Sequence, residues 1–114
     1  MHELSIVAGL FEILEEKARE QKAAKVVLVK LQVGKLAGVV PEFLETAFNT
    51  YKEGTLAADA LLEIEDIPPT IKCQKCGAES TSENFVFLCP SCGSAEIKIL
   101  AGTELLLEKI ELEI

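Results

Sequence analysis

Residues 25–33 read Lys25-Val-Val-Leu-Val-Lys-Leu-Gln-Val33, and this stretch predicts the first strand of the sheet. It is rich in β-branched residues, and its apolar and polar side chains alternate, as in a strand with one buried face. The face expected to be buried consists of Val27, Val29, Leu31 and Val33. The polar residues Lys30 and Gln32 mark the opposite face.

Two helices and a second strand are predicted on either side of this stretch. Residues 4–20 carry apolar side chains at intervals of three and four, which is typical of an amphipathic helix. After a glycine-containing loop, Pro41 suits the first turn of a helix over residues 41–53. Residues 60–66 alternate apolar and acidic side chains like a strand. The succession predicts a β-α-β unit with a right-handed crossover.

The double proline Pro68-Pro69 interrupts this pattern. Two adjacent prolines neither donate to a sheet nor continue a helix, so they indicate a boundary with some hinge freedom. Residues 104–114 are too apolar for a free tail and are predicted to form a further strand. Its expected buried face consists of Leu106, Ile110, Leu112 and Ile114.

These elements predict an α/β (α+β) fold with a small mixed three-stranded sheet and two helices. Residues 1–67 are expected to form the α/β domain. Residues 68–102, which hold all the cysteines, are expected to form an inserted domain. Residues 103–114 are expected to return to the first domain and complete its sheet.

The four cysteines form two C-x2-C pairs separated by twelve residues. The pairs read Cys73-Gln-Lys-Cys76-Gly77 and Cys89-Pro-Ser-Cys92-Gly93. Each pair spans a tight turn, and the glycine after it permits a positive φ that turns backbone N–H groups toward the sulfurs. Two such turns supply the tetrahedral set of four thiolates found in zinc ribbons. Because four protein ligands leave no open position, this zinc is expected to be structural.

Two alternatives remain for the cysteines. Iron in a rubredoxin-like site uses similar turns, although that fold usually brings core aromatic residues, and only Phe85 and Phe87 lie between the pairs. Two redox-active dithiols are less favoured, because a thioredoxin-type motif is single and opens a helix.

The single histidine of the chain is residue 2. The amine of Met1, the backbone nitrogen of His2 and its imidazole Nδ1 can chelate one ion through adjoining five- and six-membered rings. Such near-planar nitrogen donation suits Ni(II) or Cu(II) better than Zn(II). Binding requires loss of the amide proton, so it should weaken as pH falls. Glu3 can serve as a ligand, a proton acceptor or a partner of the imidazole.

Charge and hydropathy argue against several classes of protein, namely nucleic-acid-binding, membrane-spanning and secreted ones. With 11 Lys and Arg against 19 Asp and Glu, the formal charge is −8, which disfavours nucleic acid and favours cations or basic proteins. No apolar run approaches the ~20 residues of a membrane span. The N-terminus lacks the basic region of a signal peptide, so a cytoplasmic location is expected. A nucleic-acid or protein-interaction module of the zinc-ribbon type is the main alternative function.

Catalysis is not expected. The chain shows no nucleophile–base pair, no phosphate-binding glycine loop and no second histidine. Glu63, Glu65 and Asp66 form an acidic cluster, but alternation assigns Glu63 and Glu65 to the solvated face of a strand.

Taken together, Met1-His2-Glu3-Leu4-Ser5, the Val33-Gly34-Lys35-Leu36 stretch before a proline-led helix, and the late cysteine quartet resemble the HypA/HybF family. These are nickel metallochaperones of nickel–iron hydrogenase maturation. The resemblance covers the whole chain. It implies a small α/β nickel-binding domain with an inserted zinc domain.

The resemblance also implies the site residues and partners. His2 is the essential nickel ligand, Glu3 supports it, and Cys73, Cys76, Cys89 and Cys92 bind zinc. The implied partners are the GTPase HypB and the hydrogenase large-subunit precursor, with urease maturation served in some bacteria; neither nucleic acid nor a membrane is implied. The chain is expected to be a monomer or a homodimer.

The fourth nickel ligand stays open. Some members of the family carry a further histidine elsewhere in the chain, whereas this sequence has none after His2. Some place an acidic residue before the second helix, where Val39 and Val40 stand here. Glu3, water, Glu42 and a group from a partner are the candidates.

Overall fold

A computed structural model describes residues 3–82 and 86–114. The helices are α1 (Glu3–Gln21) and α2 (Pro41–Tyr51), and the strands are β1 (Lys25–Gly34), β2 (Leu61–Ile67), β3 (Thr70–Cys73), β4 (Glu79–Thr81), β5 (Ile97–Ala101) and β6 (Leu105–Glu113). Both predicted helices and the three predicted strands are confirmed, with ends that differ by no more than two residues. Within the described ranges, no helix is long and apolar enough to cross a membrane.

The first sheet has the strand order β2-β1-β6. Strand β1 pairs in parallel with β2 and antiparallel with β6, so the predicted mixed three-stranded sheet is confirmed. The helices and this sheet enclose one apolar core, in which the Phe11 ring lies 5.5 Å from Phe48 and 4.8 Å from Tyr51. The buried residues with the largest side chains in this core are Phe11, Phe48, Leu14 and Leu44.

A β-bulge in β1 changes which residues are buried. The pairing with β6 shifts between Val26 and Leu28, so Val27 has no register partner there. Val26 is consequently buried, whereas Val27, which was predicted on the buried face, is only partly covered. The simple alternation was wrong at this position because a bulge inserts one residue and reverses the phase.

A second bulge, at Glu108 in β6, has the same effect. Lys30 pairs with Lys109 and Leu31 with Leu107, which leaves Glu108 as the extra residue. The residues of β6 packed on the core are therefore Leu105, Leu107, Ile110 and Leu112. The prediction was wrong for Leu106, which the bulge places on the other face and which is 53% exposed. It was also wrong for Ile114, which lies past the end of β6 and is 87% exposed.

The second sheet carries the cysteines and has the strand order β4-β3-β5. All of its pairings are antiparallel. These strands lie in sequence between β2 and β6, the two outer strands of the first sheet. The division into domains 1–67, 68–102 and 103–114 stays a prediction.

Backbone packs directly on backbone where the two sheets join. A Cβ added to Gly34 would lie 2.1 Å from the carbonyl oxygen of Gly102, and one added to Gly102 would lie 2.8 Å from the Cα of Pro69. The Gly34 N–H donates to the Glu104 carbonyl at 2.6 Å, and the Leu36 N–H donates to the Gly102 carbonyl at 2.7 Å. The connection beside the double proline is thus tied by hydrogen bonds to the end of β1.

Candidate metal centres

The four cysteines converge at one end of the second sheet. Cys73 ends β3 and Cys76 lies in the following turn, while Cys89 and Cys92 occupy a turn ahead of β5. Their sulfur atoms all lie within 4.8 Å of one another. The shortest separations are 3.5 Å between Cys76 and Cys89 and 3.6 Å between Cys73 and Cys92. Each short pair thus joins one C-x2-C motif to the other.

These separations fit one tetrahedral ion. A Zn–S distance of about 2.3 Å gives a sulfur–sulfur edge of roughly 3.8 Å in a tetrahedron. A disulfide would need about 2.05 Å, and all four cysteines are free thiols. The cluster therefore fits a structural zinc ion.

The turns around the cysteines adopt the conformation that the glycines predicted. Gly77 and Gly93 both have φ of 75°, which is the left-handed region that glycine enters without strain. The Cys76 N–H donates to the Cys73 sulfur at 3.4 Å, and the Gly77 N–H donates to the Cys73 carbonyl at 3.0 Å. The Cys76 N–H, which donates to the sulfur, stabilises thiolate charge next to a metal, and the Gly77 N–H closes the turn.

The cluster divides into two acidic and two weakly acidic thiols. The Cys92 backbone N–H is the main cause that lowers the pKa of Cys89 to about 6, and the Cys76 backbone N–H likewise lowers the pKa of Cys73. For Cys92, the Ser94 N–H lowers the pKa, but hydrogen bonding to Cys73 and burial outweigh it and raise the pKa to about 11. For Cys76, the Ala78 N–H lowers the pKa, but hydrogen bonding to Cys89 and Cys73 acts against it, and the pKa is raised as well. Cys73 and Cys89 therefore lose their protons more readily than an ordinary thiol, whereas the protons of Cys76 and Cys92 compete more strongly with an incoming metal ion.

The predicted nickel ligands Met1 and His2 lie outside the described residues. Glu3 is half-buried as the first residue of α1. Its carboxylate accepts a hydrogen bond from the Val40 N–H at 3.4 Å, at the N-terminus of α2. A helix N-terminus attracts negative charge, so this contact holds the start of α1 against the start of α2. Glu42, the other candidate carboxylate, is exposed in the first turn of α2.

The Glu3–Val40 contact was not predicted from the sequence. A backbone N–H donor leaves no mark on residue identity, and the partners are 37 positions apart. The acidic residues of β2, in contrast, lie as predicted. Glu63 and Glu65 are exposed, and Glu65 lies 4.0 Å from Lys30.

The chain is similar to proteins of one family. It matches, over residues 1–112, the family described as hydrogenase/urease nickel incorporation, metallochaperone, HypA. Hydrogenase maturation factor HypA of Aquifex aeolicus is 47% identical, with 100% of this chain and 99% of that protein covered. The factor of the same name from Moorella thermoacetica is 46% identical, with 97% and 98% covered.

Solved structures show the same similarity. A solution structure of the Ni metallochaperone HypA from Helicobacter pylori aligns with a TM-score of 0.68 at 29% identity, covering 99% of this chain and 98% of that chain. A second solution structure of a HypA protein gives a TM-score of 0.72 at 29% identity, covering 98% and 96%.

Proposed function

The chain belongs to the HypA family of hydrogenase/urease nickel-incorporation metallochaperones, and we propose that it carries Ni(II) at its N-terminus for the maturation of nickel–iron hydrogenase. The similarity over the whole chain carries this proposal. Nickel is cargo here, so the binding site has to release the ion as well as hold it.

The proposed nickel ligands are the Met1 amine, the His2 backbone nitrogen and the His2 imidazole. Glu3 supports them, because its carboxylate adjoins the chelate in sequence and is oriented by the Val40 N–H. Glu3 itself, water, Glu42 and a partner's group remain candidates for the fourth ligand. A three-nitrogen set with an exchangeable fourth position favours release to an acceptor.

The second metal in the proposal is structural zinc, bound by Cys73, Cys76, Cys89 and Cys92. The fit of the four sulfurs to one tetrahedron supports this ligand set. With all four positions filled by protein, the zinc holds the second sheet together and takes no part in a reaction.

The proposed partners are the GTPase HypB and the hydrogenase large-subunit precursor, with urease maturation as a further use. The family description, which names hydrogenase and urease, supports this class of partner. The proposed location is the cytoplasm, and the proposed role is delivery without catalysis.

Metal analysis of the untagged protein, before and after addition of Ni(II), tests the proposal. We expect one tightly held zinc and one exchangeable nickel per chain. His2→Ala should abolish nickel uptake and leave zinc unchanged. A protein that holds zinc and never takes up nickel would contradict the proposal.

A single residue added before Met1 separates the amine from the other two donors and should also abolish binding. The matched control is one residue added after Ile114, at the opposite end of the chain. Equal nickel affinity in the two extended proteins would show that the N-terminal amine is not a ligand.

A further inference from the structure

Each of the two short sulfur–sulfur contacts in the cysteine cluster joins an exposed cysteine to a buried one. Cys76 is exposed, and its sulfur lies 3.5 Å from that of Cys89, which is buried. Cys92 is exposed, and its sulfur lies 3.6 Å from that of Cys73, which is buried. Solvent therefore reaches one member of each contact, and its buried neighbour belongs to the other C-x2-C motif.

Exposure, rather than protonation, distinguishes these cysteines in the zinc-bound protein. All four sulfurs are then thiolates, because a thiol binds zinc only after losing its proton. The thiolate is the form of cysteine that oxidants attack, and its susceptibility rises with exposure to solvent. The two sulfurs open to attack are therefore those of Cys76 and Cys92.

A second thiolate within reach separates reversible oxidation from damage. A cysteine sulfenic acid condenses with a neighbouring thiol to a disulfide, whereas further oxidation to the sulfinic acid is generally irreversible. Sulfur atoms 3.5 or 3.6 Å apart need to approach by about 1.5 Å to reach the length of a disulfide bond. Both exposed cysteines thus have a resolving cysteine beside them in the folded module.

Loop length favours bridges between the two motifs over bridges within them. A bridge from Cys76 to Cys89 spans 13 positions, and one from Cys73 to Cys92 spans 19. A bridge from Cys73 to Cys76 would span only 3 positions and leave the two turns unconnected in the absence of zinc. A disulfide restricts the unfolded chain more when it closes a longer loop, so bridges between the motifs stabilise the zinc-free sheet better.

We propose that the cysteine cluster is also a peroxide-sensitive switch, in which Cys76 and Cys92 are oxidised and Cys89 and Cys73 resolve them. The inference rests on the zinc site proposed above and adds its regulation. The Cys76 thiolate attacks one oxygen of hydrogen peroxide, the O–O bond breaks, and hydroxide departs, which leaves a sulfenic acid on Cys76. The Cys89 thiolate then attacks that sulfur, the S–O bond breaks, and a second hydroxide departs as the disulfide forms. The two sulfurs lose two electrons, the peroxide gains them, and two protons from solvent convert both hydroxides to water.

A second molecule of peroxide joins Cys92 to Cys73 by the same two steps. The first bridge removes two of the four zinc ligands and the second removes the others, so the metal site is lost while the second sheet stays cross-linked. Exchange with a dithiol reductant reverses both bridges. The chain would thus respond to peroxide by losing its structural metal in a recoverable way.

Treatment of the zinc-loaded, full-length protein with hydrogen peroxide, followed by disulfide mapping, tests this proposal. Cleavage after Glu79, which lies between the motifs, separates the first cysteine pair from the second. We expect the two fragments to stay joined, with tandem mass spectrometry showing bridges from Cys76 to Cys89 and from Cys73 to Cys92. Dimedone added early in the reaction should label the two exposed cysteines and spare the two buried ones.

Zinc release is the second measurement. Peroxide should release one zinc ion per chain relative to an untreated sample, and dithiothreitol with added zinc should restore the zinc content. The matched control is the same protein stripped of zinc by a chelator under reducing conditions. The control should lose the dispersed amide signals of β3, β4 and β5, whereas the oxidised protein, equally free of zinc, should retain most of them.

Three results would overturn the proposal: bridges within the motifs, early labelling of Cys73 or Cys89, or zinc that stays bound after addition of peroxide. Each of these leaves the proposed zinc site intact. A chain purified without zinc would instead overturn that site and this inference with it, so the two failures are distinguishable.

Discussion

The two sheets of this protein are stabilised by different means. The body, residues 3–67 and 105–113, encloses one continuous apolar core beneath both helices. The module, residues 70–101, has Ile71, Cys73 and Cys89 as its buried hydrophobic residues among those described. A sheet of strands three to five residues long with so little buried area does not balance the entropy of ordering its chain. The body therefore depends on burial and the module on metal ligation.

Charge separates the same two regions. Residues 68–102 hold three lysines and three glutamates, so the whole formal charge of −8 belongs to the rest of the chain. The proposed nickel ligands Met1 and His2 directly precede this acidic body in sequence. The electrostatic attraction for cations and basic partners is thus centred on the body.

Removal of zinc should have the largest effect and should be confined to the module. Structural zinc in small domains contributes on the order of 10 kcal/mol of folding free energy. We expect a chelator, or Cys73→Ser, to collapse the dispersed amide signals of β3, β4 and β5 and leave those of the body in place. Amide spectra recorded with and without chelator measure this. If the module stays folded without metal, it does not depend on zinc for its stability, and the difference proposed between the two regions is wrong.

Truncation of the body's core should have the converse effect. Phe11 is 1% exposed and packs against Phe48 and Tyr51, so Phe11→Ala should destabilise the body by about 3–5 kcal/mol. Urea unfolding followed by helix signal measures this loss, and zinc content should stay at one per chain. Phe43→Ala is the matched control, because Phe43 is 62% exposed and its truncation should cost little. Equal losses in the two variants would contradict this account of the core.

The body and the cysteine cluster could be predicted because their signals are local. Hydrophobic periodicity identifies α1 and β1 from neighbouring residues alone, and the glycines after each C-x2-C pair indicate the turns at Gly77 and Gly93. The strands of the module were not predicted individually. They are three to five residues long and lack a clear alternation.

The features that escaped prediction depend on distant residues. The bulge at Glu108 arises from the pairing of β6 with β1, and it places Leu106 on the face opposite to the one predicted. The contact between Gly34 and Gly102 joins positions far apart in sequence, so neither glycine reveals its partner. Hydrophobic alternation thus indicates β1, β2 and β6, but not the bulges that redirect side chains in β1 and β6.

Gly34→Ala should affect both regions, because it lies where they join. The new Cβ would overlap the Gly102 carbonyl oxygen, which is backbone and cannot rotate away. Over-packing of this kind costs about 1–3 kcal/mol. We expect lower thermal stability together with amide shifts on both sides of the join. Gly38→Ala is the control for glycine loss without a clash: its φ of +75° strains any side chain, but no atom lies within 4 Å. Shifts confined to the body would mean that the join does not couple the regions.

The smallest effect on stability should come from loss of an ion pair on the solvated face of the body, between Lys30 and Glu108. Glu108 lies 3.1 Å from Lys30 and accepts a hydrogen bond from Gln32 at 2.8 Å. The hydrogen bond from Lys30 is the main cause that lowers the pKa of Glu108, and the same bond raises the pKa of Lys30. A lowered carboxyl pKa gives stability that is present above the ordinary value and lost as pH falls through the lowered one. The raised lysine pKa gives stability that is lost only in strong alkali.

Glu108→Gln should therefore lower the melting temperature slightly at pH 7, and the two proteins should converge as acid protonates Glu108. Melting curves recorded from pH 7 down to pH 3 measure this, with the exposed Glu12→Gln on α1 as the control. Zinc content at pH 7 tests whether the effect is confined to the body. Because Glu108 and Lys30 both lie in the body, Glu108→Gln should leave the zinc content of the module unchanged. A difference that stays constant with pH would assign the effect to the bulge geometry of β6, since only an ionised carboxylate contributes the pH-dependent part.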